Sequence, residues 1–371
     1  MHPYEKAFAD NIRKYRKQLG LTQKMLAEAT GYSAKTVSKW ETDGCIPTVE
    51  SLFRIASVFR VDLNALFQSD ETIYYLGIDG GGTKTALALE DCTGTVIRQI
   101  TTAPCNPFDV GLDEAKRVLK DSIAQICQGI PFSSIVLFAG IAGSSSGNYH
   151  EPLLSFLRDI RFASFGLGSD NENIITAGLE GRDGITLILG TGICSFAVKD
   201  GQRHRIGGWG YLFDEGGSGF NIAHDALSWY FSVCDGSLEP TSLAEAIRKK
   251  AGCEPGQLLS LLYEEGKSAI ASYSGLVFQE AQKGDPVSCS ILRSNMAEAA
   301  RIVHAARKYF AETEDVPVIL AGGLTEQPLL LPYLEEALGD TTGLDLQILS
   351  VQPVKGALLK AKSLWQEAKN I

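Results

Sequence analysis

The chain has 371 residues, a hydrophobic fraction of 44% and a formal net charge of −10, values typical of a globular protein with two or three domains. No apolar run approaches the roughly 18 residues that a bilayer span needs, and the amino terminus lacks the apolar segment of a signal peptide. A cytoplasmic protein without a membrane partner is therefore expected. The eight cysteines include no C-x-x-C pair, which argues against zinc ribbons and thioredoxin chemistry.

The charge is unevenly distributed along the chain. Residues 1–68 contain ten Lys and Arg against seven Asp and Glu, a balance of +3, and the remaining residues therefore carry −13. A basic head on an acidic body indicates that the head contacts nucleic acid and that the body does not.

The first 68 residues are predicted to form short helices. Apolar spacing predicts the first helix from Ala7 to Gly20. Thr22 is a suitable N-cap for the second helix and Gly31 a suitable end, while Ser33 is a suitable N-cap for the third. Two further helices are predicted around Val49–Phe59 and Leu63–Phe67.

The Leu-Thr-Gln run and the Ser-Lys-Trp-Glu run of this head resemble the helix-turn-helix domain of the phage-repressor (Cro/C1) type. This resemblance implies a homodimer on a double-stranded DNA operator, with the third helix in the major groove. By the same resemblance, the base edges would be faced by Ser33, Lys35, Thr36 and Ser38, and the phosphates by Gln23 and Lys39. A helical interaction domain that no longer binds DNA is the alternative. The linker Gln68–Thr72 is short and would keep the two parts of the chain close.

An apolar strand that begins at Tyr74 leads into Asp79 and three glycines, Gly80, Gly81 and Gly82. Glycines at such a turn let backbone N–H groups approach phosphate oxygens, and a carboxylate at a strand end can hold a hydrated magnesium ion. A tight hairpin with an acidic corner is the alternative. The spacing is not that of a Walker loop.

The same pattern recurs twice. A second apolar strand meets the turn Gly190, Thr191 and Gly192, and a third meets Gly322 and Gly323. Three glycine turns at strand ends fit one nucleotide bound at the carboxyl edges of sheets.

This order resembles the actin/hexokinase/Hsp70 ATPase fold: an all-α helix-turn-helix domain (1–68) would precede an α/β body of two ribonuclease-H-like lobes, 74–180 and 181–371. Within that fold, the chain is similar to the N-acetylglucosamine kinase and benzoyl-CoA-reductase-activator type over roughly residues 74–365. The segments that carry the similarity are the Gly-Gly-Trp-Gly block 207–224, Ser169–Asp170 and Pro353–Ala357.

The resemblance implies a role for each matching residue, with ATP and Mg²⁺ as cofactors. Asp170 would be the catalytic base at the sugar hydroxyl, although a helix N-cap is the alternative role, and Asp79 would hold magnesium through water. ATP would contact Gly80, Gly81, Gly82, Thr83, Lys84, Gly190, Thr191, Gly192, Gly322 and Gly323. The sugar would contact Asn106, Gly208, Trp209 and one of two acidic residues, Asp214 or Glu215. That acidic pair lies one position earlier than in the family, so the choice between the two stays open.

The function expected from these features is an ATP-dependent amino-sugar kinase that is fused to a DNA-binding domain and also regulates transcription. A regulator whose kinase-like body only senses a sugar or a nucleotide is the alternative. An ATPase activator of a radical dehydratase is disfavoured, because the chain has the tryptophan block of sugar kinases and scattered cysteines.

Overall fold

The computed structural model describes residues 2–43, 45–67, 73–145 and 148–370, so the predicted linker Gln68–Thr72 lies outside the described residues. The chain divides into two units. One consists of Met1–Asn173 with Pro353–Ile371, and the other of Ile174–Gln352.

The amino-terminal helices are α1 (Pro3–Gln18), α2 (Gln23–Thr30), α3 (Ala34–Thr42) and α4 (Val49–Phe59), followed by a 3₁₀ turn at Asn64–Leu66. The predicted fifth helix is therefore a single turn. Helix α1 begins four residues before the predicted Ala7, because Pro3 is its first residue and the His2 backbone N–H donates to Glu5 Oε2 at 2.7 Å.

The predicted caps are confirmed. Thr22 Oγ1 accepts from the Met25 N–H at 3.1 Å, Ser33 Oγ accepts from the Thr36 N–H at 3.1 Å, and Gly31 ends α2 at φ 79°. These helices enclose their own apolar core, whose buried members include Phe8, Ile12, Leu26, Val37, Trp40 and Ile55.

The first sheet consists of β1 (Tyr74–Gly80), β2 (Thr85–Glu90), β3 (Val96–Thr102), β4 (Ile135–Ile141) and β5 (Ser164–Gly168). Its strand order is β3-β2-β1-β4-β5, in which β1 runs antiparallel to β2 and parallel to β4. The connecting helices are α5 (Pro107–Val110), α6 (Leu112–Ile126) and α7 (His150–Ile160), and α8 (Asp170–Leu179) follows β5.

The second sheet repeats this topology. It contains β6 (Gly184–Leu189), β7 (Ile193–Lys199), β8 (Gln202–Gly207), β9 (Val316–Ala321) and β10 (Leu344–Ile348) in the order β10-β9-β6-β7-β8. The predicted duplication is therefore confirmed. The helices between β8 and β10 are α9 (Gly219–Cys234), α10 (Ser242–Ala251), α11 (Pro255–Glu265), α12 (Lys267–Ala271), α13 (Ser274–Gln282), α14 (Pro286–Arg307) and α15 (Leu330–Leu338).

The last helix, α16 (Val354–Asn370), packs on the first sheet, although the predicted division placed it in the lobe 181–371. A Cβ placed on Gly77 of β1 would lie 2.8 Å from both Val354 O and Leu358 N, so the glycine allows the helix backbone to approach the strand. Ala357 and Ala361 of α16 are buried in the same cluster as Val136 and Phe138.

Candidate functional site

Two acidic residues lie at the carboxyl edge of the first sheet. In the parallel strands, Asp79 of β1 pairs with Gly140 of β4, and Gly140 pairs with Gly168 of β5. Asp170 follows Gly168 by two residues and begins α8. The topology therefore brings Asp79 and Asp170, which are 91 positions apart in the sequence, to one edge, as expected for a ligand site in an α/β sheet.

Ionisation of both carboxylates is disfavoured by burial. Burial raises the pKa of Asp79 to about 6, and the nearby Asp170 adds to this effect, while the Asn173 hydrogen bond and the positive Lys84 oppose it. Burial also raises the pKa of Asp170, against the backbone N–H groups of Asp170 and Asn171 that favour the charged form. The predicted alternative of an N-cap is wrong, because α8 begins at Asp170 and the contacts come from the N–H groups of Asp170 and Asn171 rather than from residues two or three positions on.

Asn173 is a site residue that the sequence prediction missed. Its buried Nδ2 donates to Asp79 Oδ1 at 2.8 Å, to Ile78 O at 3.1 Å and to Gly140 O at 3.3 Å. A Cβ on Gly140 would lie 2.3 Å from Asn173 Oδ1, so only glycine leaves room for the amide. The available signal was helical spacing, since Asn173 stands three residues after Asp170 on one helix.

The first glycine turn follows Asp79 directly. The Gly81 N–H donates to Lys84 O at 3.0 Å and closes the turn, which leaves Gly82, Thr83 and Lys84 exposed. A Cβ on Gly80 would lie 2.5 Å from the Sγ of the buried Cys105, so the strand end requires glycine. The exposed tip thus offers backbone N–H groups and one ammonium group to an anion.

Asn106, the predicted sugar residue, lies beside this turn. Its Oδ1 accepts from the Phe108 N–H at 3.1 Å and its Nδ2 donates to Asp109 Oδ2 at 2.5 Å. A Cβ on Gly82 would lie 2.7 Å from the same Asp109 oxygen. The structure therefore places Asn106 and the first glycine turn together, and adds Asp109.

The two predicted glycine turns of the second unit are also neighbours. Gly322 follows β9 with φ 100°, and a Cβ on it would lie 2.4 Å from the carbonyl oxygen of Leu189 at the end of β6. In the other turn, the Gly190 N–H donates to Gly192 O at 2.9 Å. Gly323 and Gly192 are exposed, so both turns present backbone to solvent at one edge of the second sheet.

The loop after β8 carries the predicted sugar-block residues. Trp209 is 67% exposed, and the Arg205 guanidinium lies 4.2 Å from the centre of its ring. Asp214 Oδ1 accepts from the Trp209 N–H at 3.1 Å, and Asp214 Oδ2 accepts from the Gly210 N–H at 2.9 Å. Asp214 therefore holds the loop in shape.

Glu215, by contrast, is exposed and lies 3.5 Å from Arg301 of α14. A cavity of about 310 Å³ adjoins the loop and is lined by residues that include Gly207, Trp209, Glu215, Glu298 and Arg301. Gly208 has φ 73°, and a Cβ on it would lie 2.9 Å from Cys194 Sγ.

Within the described residues, no group of three or more His, Cys, Asp or Glu side chains could hold a metal ion alone. Asp79 nevertheless fits a magnesium ion that takes its other ligands from water and from a triphosphate, which is how Mg²⁺ binds in nucleotide sites. The raised pKa of Asp79 shows that its negative charge lacks sufficient compensation in the protein itself. A bound cation would supply that compensation.

The residues predicted to contact DNA lie on α3 and at its N-cap, except for Gln23, which lies on α2. Ser33, Lys35 and Lys39 are exposed, and Thr36 and Ser38 are half-buried. Gln23 differs, because its Nε2 donates to Glu41 Oε2 at 3.0 Å.

Glu41 is 3% exposed and joins the first three helices through its carboxylate and carbonyl oxygens. The Arg16 guanidinium donates to Oε1 at 2.5 Å and to Oε2 at 2.9 Å, while Arg13 donates to Glu41 O at 2.7 Å. Burial opposes ionisation of Glu41, but the Arg16 and Gln23 hydrogen bonds outweigh it and leave the pKa lowered. The carboxylate thereby fixes α3 against α1 and α2.

None of the helices in the described part of the chain is both long enough and apolar enough to cross a membrane.

Comparison with known proteins finds two family models that match parts of the chain. The model of the BadF/BadG/BcrA/BcrD ATPase family matches residues 76–361, and a helix-turn-helix model matches residues 12–66. The N-acetylmuramic acid/N-acetylglucosamine kinase of Clostridium acetobutylicum is 29% identical over 261 residues, which cover 68% of this chain and 85% of the relative. The N-acetyl-D-glucosamine kinase of Dictyostelium discoideum is 27% identical over 282 residues, which cover 70% of this chain and 88% of the relative.

Among solved structures, a proposed N-acetylglucosamine kinase from Chromobacterium violaceum superposes with a TM-score of 0.66 at 23% identity. The superposition covers 78% of this chain and 99% of that one. It confirms the predicted actin-like ATPase fold of the body.

Proposed function

The chain belongs to the BadF/BadG/BcrA/BcrD ATPase family and carries a Cro/C1-type helix-turn-helix domain, and from this premise we propose that it is an ATP-dependent amino-sugar kinase that also binds DNA. The relatives that share the body are kinases of N-acetylglucosamine and related sugars. The observation that carries the proposal is the half-buried Asp170, which stands with Asp79 at the sheet edge that bears the first glycine turn.

In the proposed reaction, a sugar hydroxyl oxygen forms a bond to the γ-phosphorus of ATP while the bond from that phosphorus to the β–γ bridging oxygen breaks. The hydroxyl proton passes to the Asp170 carboxylate, and the products are a sugar phosphate and ADP. Such transfer depends on alignment and charge stabilisation rather than on covalent catalysis. In the first unit, the exposed tip of the glycine turn, residues 82–84, would bind phosphate oxygens through its backbone N–H groups. The turns of the second unit, at 190–192 and 322–323, stay predicted nucleotide contacts.

A magnesium ion would neutralise charge on the phosphates, and Asp79 would hold it through water. Asn173 fixes the Asp79 carboxylate by its 2.8 Å hydrogen bond, and it projects from the helix that Asp170 begins. The carboxylates of Asp170 and Asp79 would therefore keep a constant separation. Asn106 would bind sugar hydroxyls beside the phosphate turn.

The kinase proposal is tested by ADP release with ATP, Mg²⁺ and a panel of amino sugars. Asp170→Asn should lower kcat by about 10²- to 10⁴-fold, since it removes the proton acceptor, while ATP binding is retained. Asp121→Asn, an exposed change on α6, is the matched control and should behave as wild type. Wild-type turnover in the Asp170 variant would remove the assignment.

One observation favours a second candidate, a regulator that senses sugar without turnover. The acidic residues of the tryptophan loop are displaced by one position, and Glu215 lies beside Arg301. This candidate predicts sugar-dependent thermal stabilisation with no ADP release in the same panel.

DNA binding and dimer formation are proposed from the helix-turn-helix domain and the exposed basic residues of α3. Lys39→Ala should weaken binding to double-stranded DNA and lower the salt dependence of the affinity by about one counterion, and Lys35→Ala should weaken binding through loss of a base contact. Lys120→Ala, an exposed change on α6, should have no effect. Fluorescence anisotropy at several salt concentrations measures the affinity, and sedimentation measures the dimer.

A further inference from the structure

A carboxylate that the proposed reaction does not use lies against the first phosphate turn. Asp109 is exposed, and its Oδ2 accepts from Asn106 Nδ2 at 2.5 Å. The same oxygen is 2.7 Å from where a Cβ on Gly82 would stand. Asp109 therefore lies next to both the turn that would bind phosphate and the residue that would bind sugar.

Electrostatics excludes Asp109 as a phosphate ligand. A carboxylate repels a triphosphate, and no Lys, Arg or His contacts Asp109 within the described residues. Its side-chain hydrogen bond is to the neutral Asn106 amide rather than to a basic group. Such a charge suits a partner that donates hydrogen bonds or is itself positive.

The Asn106–Asp109 pair has unused hydrogen-bonding capacity. Asn106 Oδ1 holds the Phe108 N–H at 3.1 Å, which leaves it a second lone pair, and Nδ2 retains a second hydrogen. Asp109 Oδ1 is a further acceptor. The pair therefore offers acceptor, donor and acceptor groups, which match neighbouring sugar hydroxyls that each donate and accept.

An apolar surface adjoins this pair. Phe108 is 56% exposed and is held edge-on by Tyr149, with ring centres 4.8 Å apart. A polar pair next to an exposed aromatic ring suits a pyranose, which has hydroxyls at its rim and C–H groups on its face.

We propose that Asp109 contacts the sugar and selects it by charge: neutral and cationic amino sugars are accepted, and sugars that carry a carboxylate are rejected. This inference rests on the proposed sugar site. It assigns the substrate class as glucosamine or N-acetylglucosamine rather than an acidic sugar such as N-acetylmuramic acid.

The test compares Asp109→Asn with wild type on glucosamine, N-acetylglucosamine and N-acetylmuramic acid. Asparagine keeps the size of the side chain and removes the charge. Two unit charges a few ångströms apart near a protein surface interact strongly enough to change affinity about tenfold or more. We therefore expect wild type to prefer glucosamine and N-acetylglucosamine over N-acetylmuramic acid, and we expect the variant to reduce that preference at least tenfold.

Equilibrium binding of the three sugars by calorimetry separates this inference from the kinase proposal. If no sugar is phosphorylated but Asp109→Asn still changes the binding ratio, the kinase proposal fails and the Asp109 assignment holds. Asp113→Asn, an exposed change on α6, is the control and should leave the ratio unchanged. Equal selectivity in wild type and variant, wild-type preference for the acidic sugar, or the absence of binding by every sugar would overturn the inference.

Discussion

The negative charge of Asp79 is expected to destabilise the ligand-free protein, so we predict that Asp79→Asn is more stable than wild type although it loses activity. The substitution keeps the shape of the side chain and the oxygen that accepts from Asn173 Nδ2 at 2.8 Å. It removes the charge that burial and Asp170 disfavour. Stability and function are therefore opposed at this position.

The size of the effect follows from the pKa of Asp79, which is about 6 in the folded protein against 3.8 ordinarily. A displacement of about two pH units corresponds to about 3 kcal/mol, and partial exposure reduces this to about 1–3 kcal/mol. Because the folded pKa is raised, the stability contribution of Asp79 is fully present below pH 4 and is lost as the pH rises through 6. The advantage of the variant should therefore be largest above pH 7 and should vanish below pH 4.

Urea unfolding in EDTA at pH 5 and pH 8 measures both quantities. The difference in unfolding free energy between variant and wild type should grow from pH 5 to pH 8, and ATP with Mg²⁺ should narrow it because these ligands stabilise only wild type. An Asp79→Asn protein that is no more stable than wild type at pH 8, or whose advantage is independent of pH, would refute the reasoning.

Two further predictions concern backbone conformation and a buried ion pair. Gly322→Ala should lower the unfolding free energy by about 2 kcal/mol or more, because φ is 100° and the new Cβ would lie 2.4 Å from Leu189 O. Gly236→Ala, at φ 73° with no atom within 4 Å of the new Cβ, is the control and should cost about 1 kcal/mol in urea unfolding. Glu41→Gln should cost about 2–4 kcal/mol at pH 7, since it leaves Arg16 partly unpaired. The stability lost in Glu41→Gln should become smaller as the pH falls below about 4, because the pKa of Glu41 is lowered in the folded protein and wild type loses the stabilisation from its charged carboxylate there. Thermal unfolding at pH 7 and pH 3 measures this, and an equal loss of stability at the two pH values would contradict the prediction.

The parts of the fold that local sequence determines could be predicted. The predicted helix ends are observed: the N-caps are Thr22 and Ser33, and Gly31 ends α2. Helix α4 spans the predicted Val49–Phe59. Apolar strands ended by glycine predicted both halves of the duplication. Each of these signals lies within a few residues of the feature it predicts.

Features that depend on packing between distant segments could not be predicted. The sequence gives no sign that α16 joins the first sheet, because this depends on Gly77 admitting the helix backbone some 280 positions away. Asn173 likewise has no motif, and its role follows from the register that sets Asp79 opposite Gly140. Asp109 could not be predicted as a site residue from the sequence, because its proposed role depends on its contacts with Asn106 and Gly82 in the folded protein.

The ambiguity between Asp214 and Glu215 shows how the structure separates residues that the sequence leaves equivalent. Both oxygens of Asp214 accept backbone N–H groups of its own loop, so this carboxylate shapes the loop. The Glu215 side chain is 73% exposed, and its recorded contact is a 3.5 Å approach to Arg301. A surface ion pair of that length contributes little free energy, so a ligand hydroxyl can replace Arg301 at small cost. Glu215 is therefore the residue of this pair whose carboxylate is not committed to the backbone of its own loop.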